Sequence, residues 1–246
     1  MGKPFWEIVN SVISKSDIIL EVLDARFPYE TRNEEIEAKV RKSQKTILYI
    51  FNKCDLVEKR ELEKLKLKPS VFISATKHLG TSILMKSLAR LAAKKKVVIG
   101  VVGYPNTGKS SVINALKGRS SASSSPQSGH TKGEQLIKIS KNIYLIDTPG
   151  VLPYKEKDEV KHSLIGSLDF SRVKDPEDTV LKIIQKYSRA IEKHYGVRHD
   201  APEEVLENIA VKKNNLKKGG KPDIKTTATA ILRDIQRGKL TLGARP

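Results

Sequence analysis

The sequence predicts an α/β protein with a mostly parallel six-stranded sheet, followed by a small all-helical domain. Six short apolar runs, rich in β-branched residues, end in turn or motif residues, as buried strands do. They span residues 17–23, 46–51, 71–74, 97–102, 136–139 and 143–146. Helical patterns separate most of these runs, which is typical of a parallel sheet with helices on both faces. Because the strand pattern stops after residue 153, we expect domains at residues 1–160 and 161–246.

The helices and connections follow from the residues between these strands. Helices of the first domain are predicted at residues 34–42, 58–67, 81–93 and 109–116. Only three residues separate the last two strands, which indicates an antiparallel hairpin at a sheet edge. Helices of the second domain are predicted at residues 176–195, 202–212 and 225–237, the first two beginning with a proline. Residues 120–133 are serine-rich and indicate a loop, and residues 212–221 a basic linker.

The chain is strongly basic. It has 46 Lys and Arg residues against 28 acids, for a net charge of +18, with an excess of +12 over the first 150 residues and +6 over the last 96. This balance favours a polyanionic partner such as RNA, because neutralised phosphates release their counterions. A merely solvated surface is the alternative.

Cysteine usage and hydropathy bear on the compartment. The single cysteine, Cys54, allows no internal disulfide and fits the cytoplasm. No apolar run reaches the roughly 20 residues of a membrane span, and the N-terminus lacks the apolar stretch of a signal peptide. We therefore expect a cytoplasmic protein without membrane contact.

The most specific motif is GYPNTGKS at residues 103–110, which matches G-x-x-x-x-G-K-[ST] between a predicted strand and helix. Backbone N–H groups at the start of such a helix bind phosphates. We expect Lys109 to reach the β- and γ-phosphates and to act in catalysis, and the Ser110 hydroxyl to ligate Mg²⁺. The phosphate-binding residues of this loop are predicted to be Asn106, Thr107, Gly108, Lys109, Ser110 and Ser111.

A second phosphate-side motif, D-T-P-G at residues 147–150, follows the last predicted strand. A carboxylate at the end of a strand beside the phosphate loop can hold Mg²⁺ through water, and this role is predicted for Asp147. The Gly150 N–H is predicted to bind the γ-phosphate.

The base is predicted to be guanine, because N-K-C-D at residues 52–55 follows the second strand. The Asp55 carboxylate can accept hydrogen bonds from guanine N1–H and the 2-amino group. Adenine offers no such pair, and an unpaired buried carboxylate would strongly reject ATP. Asn52 is expected to fix the loop and the base edge, and the Lys53 stem to cover one face of the ring. A backbone N–H at Ser74 or Ala75 is predicted to meet guanine O6.

The order of these motifs is unusual, since ordinary GTPases begin with the phosphate loop and end with N-K-x-D and S-A. The chain resembles the circularly permuted GTPases of the YlqF-related family, which act in large ribosomal subunit assembly. The resemblance covers nearly the whole chain. Besides the motifs above, it rests on Asp24-Ala25-Arg26, Pro28, Thr31-Arg32-Asn33, G-H-T-K-G at residues 129–133 and residues 233–240.

The resemblance implies a P-loop GTPase fold and a monomeric switch that binds rRNA and precursor particles in its GTP state. GTP hydrolysis to GDP and phosphate would be slow alone and stimulated by the large ribosomal subunit. Thr131 is similar to the switch threonine that completes Mg²⁺ coordination during catalysis. Asn106 is similar to the asparagine that supports K⁺ binding in related GTPases, with a purely loop-stabilising asparagine as the alternative.

Two features leave other functions open. Val151 stands where many GTPases carry a glutamine that orients water, so a nucleotide-gated RNA-binding module with negligible turnover is one alternative. A signalling GTPase acting on protein partners is another.

The motif order also leads from Gly150 directly into the C-terminal helices. We therefore expect the γ-phosphate to reposition them. Residues 205–240 hold nine basic and three acidic side chains, a candidate RNA surface or a solvated helical face.

Overall fold

The first unit is built on one six-stranded sheet. A computed structural model of the protein describes residues 5–93, 95–120, 136–146, 159–166 and 168–242. The strands are β1 (Ile18–Asp24), β2 (Thr46–Asn52), β3 (Ser70–Phe72), β4 (Val97–Val102), β5 (Leu136–Ser140) and β6 (Ile143–Ile146). Their order is β3-β2-β1-β4-β6-β5. All neighbours are parallel except β5 and β6, which confirms the predicted mostly parallel sheet with an antiparallel edge hairpin.

Helices cover both faces of this sheet. They are α1 (Phe5–Lys15), α2 (Glu34–Lys42), α3 (Lys59–Glu63), α4 (Thr81–Ala92) and α5 (Lys109–Ser120). Side chains alternate along β1, so that Ile18 and Leu20 pack with α4 and α5 whereas Ile19 packs with α1 and α2. The central strand β1 is therefore buried on both sides. The carboxyl ends of β1, β2 and β4, at Asp24, Asn52 and Val102, lie at one edge of the sheet.

Several elements of this unit differ from the sequence prediction. Helix α1 was not predicted, although Val9, Val12 and Ile13 have helical spacing and pack under the sheet. Helix α3 has five residues rather than ten: the N–H groups of Lys64 and Leu65 donate to carbonyls three residues back, as in a tightened last turn that ends a helix. Strand β3 ends before Ser74, which instead forms a turn closed by hydrogen bonds in both directions with Leu79.

Contacts divide the chain into two compact units, residues 1–155 and 156–245. Helices α6 (Glu159–Leu164), α7 (Pro176–Tyr195), α8 (Pro202–Lys212) and α9 (Ile224–Gln236) make up the second unit in its described ranges, with a 3₁₀ turn at Phe170–Arg172. Helix α7 leaves helical geometry at Tyr187. Side chains of Asp175 and Asp223 accept the Asp178 and Thr226 N–H groups and so fix where α7 and α9 begin.

One glutamine ties the second unit together. Gln236, at the end of α9, donates through Nε2 to the carbonyls of Ser163 (2.9 Å) and Leu168 (2.8 Å). Its Oε1 accepts the Phe170 N–H at 3.2 Å. These bonds join the last helix to α6 and to the 3₁₀ turn, which gives the 233–240 motif a structural role.

The segment between α8 and α9 is an ordered turn rather than the expected linker. Lys217 N–H donates to Lys221 O at 2.8 Å, and Asp223 N–H donates to Asn215 O at 2.8 Å. Gly219 and Gly220 form the tip with φ of 89° and 75°, a conformation that other residues rarely adopt. We call residues 212–223 the lysine hairpin.

Candidate guanine-nucleotide site

The phosphate loop connects β4 to α5. Its backbone reverses through positive φ at Gly103 (144°), Asn106 (59°) and Gly108 (93°). Inside the loop, the Thr107 hydroxyl donates to Tyr104 O at 2.9 Å, and Lys109 Nζ donates to the same carbonyl at 2.5 Å. Helix α5 begins at Lys109, directly after the loop. The N–H groups of a helix's first turn have no partner within the helix, so they favour an anion there.

Burial acts on the charge of Lys109. It lowers the pKa of this lysine to about 8, because desolvation disfavours the ammonium form. A phosphate bound nearby would offset the desolvation cost of the Lys109 ammonium by pairing with it.

Asn52 joins three motifs that lie far apart in the sequence. Its side chain is 3% exposed. Asn52 Nδ2 donates to Thr107 O of the phosphate loop at 2.9 Å, and Oδ1 accepts the Ala75 N–H at 3.0 Å. Asn52 therefore connects the N-K-C-D segment to both other motifs. The Ala75 N–H, which was expected to meet guanine O6, is engaged by Asn52.

The contact between Asn52 and the phosphate loop requires glycine at position 108. A Cβ built at Gly108 would lie 2.1 Å from Asn52 Nδ2, and its φ of 93° is unfavourable for other residues. The second glycine of the phosphate motif therefore allows Asn52 to approach the loop.

Lys53 makes a second link between base and phosphate segments. The residue has left-handed backbone geometry with φ of 61°. Its Nζ donates to Asn106 O and to Asp24 Oδ2, each at 2.7 Å. Burial lowers the pKa of Lys53, and the Asp24 carboxylate opposes that shift. These two hydrogen bonds hold the charged end of the Lys53 side chain.

Asp55 is 11% exposed and pairs with Lys77 Nζ at 3.0 Å. Burial raises its pKa, but the Ser74 hydroxyl and the Lys77 ammonium outweigh burial, so that the pKa lies below its ordinary value. Asp55 therefore presents a charged acceptor, as guanine recognition needs.

Two residues of the site were named in the sequence only as part of a motif. Asp24 is 1% exposed, and its carboxylate accepts hydrogen bonds from Arg26 Nε (2.9 Å) and Arg26 Nη2 (2.7 Å). The D-A-R motif after a strand does not by itself indicate a chemical role for Asp24 or Arg26. A buried acid at the end of the strand between β2 and β4 was the available signal.

Several predicted residues lie outside the described ranges, namely Thr131, Asp147 and Gly150, together with Val151. Of the predicted metal ligands, the structure describes Ser110, exposed in the first turn of α5. A hydroxyl oxygen in that place suits Mg²⁺, which prefers oxygen ligands. Within the described ranges, no three His, Cys, Asp or Glu side chains gather as a metal site. None of the helices described combines the length and hydropathy that a membrane span needs.

Two family models match the chain. The one described as RsgA GTPase matches residues 12–155, and the one described as 50S ribosome-binding GTPase matches residues 98–217. Together they cover the sheet, the phosphate loop and part of the second unit.

Curated relatives match over almost the whole chain. An uncharacterised GTP-binding protein of Methanocaldococcus jannaschii is 42% identical over 96% of this chain and 66% of its own length. Nucleolar GTP-binding protein 2 of Saccharomyces cerevisiae is 34% identical over 97% of this chain and 52% of its own length. The chain thus spans about two thirds of the first relative and about half of the second.

Solved YlqF structures also match over almost the whole chain. A GDP-bound YlqF structure has a TM-score of 0.72 and 26% identity, covering 96% of both chains. A GNP-bound YlqF from T. maritima has a TM-score of 0.67 and 26% identity, covering 97% of this chain and 96% of that one. With its motifs in permuted order on this fold, the chain belongs to the circularly permuted, YlqF-related family of GTPases.

Proposed function

We propose that the chain is a GTP-binding and GTP-hydrolysing switch that assists assembly of the large ribosomal subunit. It binds rRNA of the precursor particle in its GTP state and leaves after hydrolysis, acting as a cytoplasmic monomer. The names of its relatives support this proposal, because one family model is described as a 50S ribosome-binding GTPase and a relative is a nucleolar GTP-binding protein.

The observation that carries the proposal is the pair of hydrogen bonds made by Asn52. Through them the N-K-C-D segment lies against the phosphate loop at Thr107 and against the S-A turn at Ala75. A base held by the first segment and phosphates held by the second can then belong to one nucleotide.

Base selection rests on Asp55. Its carboxylate takes the N1–H and 2-amino hydrogens of guanine, and the Lys77 ammonium, 62% exposed, moves aside for the base. Adenine would leave this carboxylate without donors, at a cost of about 1–3 kcal/mol or more for a charged group. Because the Ala75 N–H serves Asn52, guanine O6 shares that donor or takes the following N–H groups of the turn.

Phosphate binding rests on Lys109, Ser110 and the N–H groups of residues 106–111. Ser110, Thr131 and Asp147 (the last through water) would hold Mg²⁺, which supplies charge neutralisation at the β- and γ-phosphates. Lys109 pairs with the same oxygens. The Gly150 N–H meets the γ-phosphate and so transmits its presence to the C-terminal helices.

Catalysis depends on a partner in this proposal. Val151 has no group that can orient the attacking water, so the chain is slow alone and the ribosomal subunit completes the site. K⁺ near Asn106 would add positive charge in the transition state. Val151 equally favours the second candidate function, a nucleotide-gated RNA-binding module with negligible turnover.

The lysine hairpin is the proposed contact with rRNA. It exposes Lys217, Lys218 and Lys221, and residues 208–222 contain no acid. Space around Gly219 and Gly220 is open, with no other described atom within 4 Å of a Cβ built there. A phosphate backbone can thus approach the tip closely and meet several ammonium groups at once.

Nucleotide affinity should fall at alkaline pH. The pKa of Lys109 is about 8 before phosphate binds, and only the ammonium form pairs with phosphate. Affinity for GDP is therefore full well below pH 8 and declines as pH rises through it, approaching about tenfold per pH unit above it. Calorimetric titration between pH 6.5 and 9 measures this. K109Q, whose amide does not titrate, should bind weakly with little pH dependence. A constant Kd of the natural chain up to pH 9 would contradict the role given to Lys109.

GTP turnover distinguishes the two candidate functions. We expect slow release of phosphate from the chain alone and an increase of about tenfold or more with purified large ribosomal subunits, because a partner supplies the missing water-orienting or charge-stabilising group. Assays in K⁺ and in Na⁺ separate the contribution of the ion. Absence of turnover under all four conditions would leave the gated RNA-binding module.

Neutralising the lysine hairpin should weaken ribosome binding in a salt-dependent manner. Cosedimentation with large subunits is measured with a non-hydrolysable GTP analogue at several salt concentrations. The K217Q/K218Q/K221Q variant should reduce the slope of log K against log salt by about two to three, since each lost phosphate contact removes close to one released ion. The charge-matched K42Q/K66Q/K86Q variant changes exposed lysines of the first unit and should bind normally. Equal losses in both variants would assign binding to total charge rather than to the hairpin.

A further inference from the structure

We propose that Asp24 is a positioning residue of the guanine site and acts through Lys53. It holds the Lys53 ammonium where the lysine stem can cover the base while the same ammonium binds the phosphate loop. This inference rests on the proposed binding of a guanine nucleotide, and it assigns a role to the D-A-R motif.

The position of Asp24 follows from the register of the sheet. Asp24 is the last residue of β1 and pairs with Asn52, the last residue of β2. The neighbour of β1 on its other side is β4, which leads into the phosphate loop. Asp24 therefore ends the strand that lies between the base-binding and phosphate-binding segments, and Lys53 is the next residue after its register partner.

The carboxylate of Asp24 is fully engaged. Oδ1 accepts from the backbone N–H of Arg26 (3.0 Å) and from its Nε (2.9 Å). Oδ2 accepts from Arg26 Nη2 (2.7 Å) and from Lys53 Nζ (2.7 Å). Burial alone would raise the pKa of Asp24, but Arg26 and Lys53 outweigh burial and keep it below its ordinary value. Asp24 is thus a charged acceptor whose two oxygens both have partners.

The phosphate loop is reached through Lys53. The ammonium that Asp24 holds also donates to Asn106 O at 2.7 Å, and Asn106 has the positive φ that shapes the loop. Without Asp24, Lys53 would lose its anionic partner in a site where its side chain is 26% exposed. The ammonium would then move toward water. The stem would move with it, and the hydrogen bond to Asn106 O would be lost.

Asp24 also has a local structural role, from which the proposed one must be separated. Its Oδ1 closes the turn with the Arg26 N–H. Asparagine at position 24 retains an acceptor for that N–H, but its Nδ2 cannot accept from Lys53. Methionine at position 53 keeps an unbranched stem and removes the ammonium.

The test is a double-mutant cycle on GDP affinity with D24N, K53M and D24N/K53M. Each single variant should weaken binding by about 10- to 100-fold, the loss expected for a buried charged hydrogen bond. Because Asp24 acts through Lys53, the double variant should bind no more weakly than the weaker single variant. If the double variant loses affinity by the product of the two single losses, the proposal is overturned, because Asp24 then acts independently of Lys53.

Controls separate this proposal from folding and from nucleotide binding itself. D17N changes an acid that precedes β1 at the opposite end of the sheet, where Oδ2 accepts Val98 N–H at 2.8 Å, and should leave GDP affinity unchanged. Circular dichroism and thermal melting monitor folding. If D24N does not fold, D24N/K53M, which removes an acid and a cation together, is compared directly with K53M. Equal affinity of the two supports the proposal and a further loss contradicts it, whereas no saturable GDP binding by the natural chain would refute the proposed function instead.

Discussion

The two hydrogen bonds of the Asn52 amide are the interaction on which the candidate site depends. They hold together segments 23 and 55 residues away in sequence, and a donor on one end with an acceptor on the other fixes the orientation of the amide. Neither bond depends on the order in which the segments occur along the chain. The circular permutation therefore preserves the site, because the sheet brings the carboxyl ends of β1, β2 and β4 to one edge whatever loop connects them.

Much of the fold could be predicted because buried parallel strands are continuous apolar runs. The runs that became β2 and β4 differ from the predicted bounds by at most one residue. Helix α1 was missed because it is a short amphipathic stretch with a strand on only one side in the sequence. It is stabilised by the packing of Val12 and Ile13 under the sheet. The lysine hairpin was missed because its ordering comes from backbone bonds between Lys217 and Lys221, which composition does not reveal.

In the site, the sequence located the motif residues along the chain but did not reveal how their side chains contact one another. Asp55 follows β2 and Lys109 begins α5, as their motifs predicted. The engagement of the Ala75 N–H by Asn52, the pairing of Lys77 with Asp55 and the approach of Asn52 to Gly108 depend on distances between loops. The same is true of Asp24, whose partner Lys53 is 29 residues away. Such contacts follow from register between neighbouring strands, which a single sequence does not specify.

Base specificity of D55N tests most directly whether these segments form one guanine site. The natural chain should bind GDP and discriminate strongly against xanthosine diphosphate, because Asp55 accepts from the 2-amino group and repels a 2-oxo group. In D55N the amide can donate to the 2-oxo group and still accept from N1–H, so the preference should change to xanthosine diphosphate. Calorimetric titration of both proteins with both nucleotides measures this change. If D55N binds GDP as tightly as the natural chain, or if neither nucleotide distinguishes the two proteins, Asp55 does not contact the base and the proposed site is wrong.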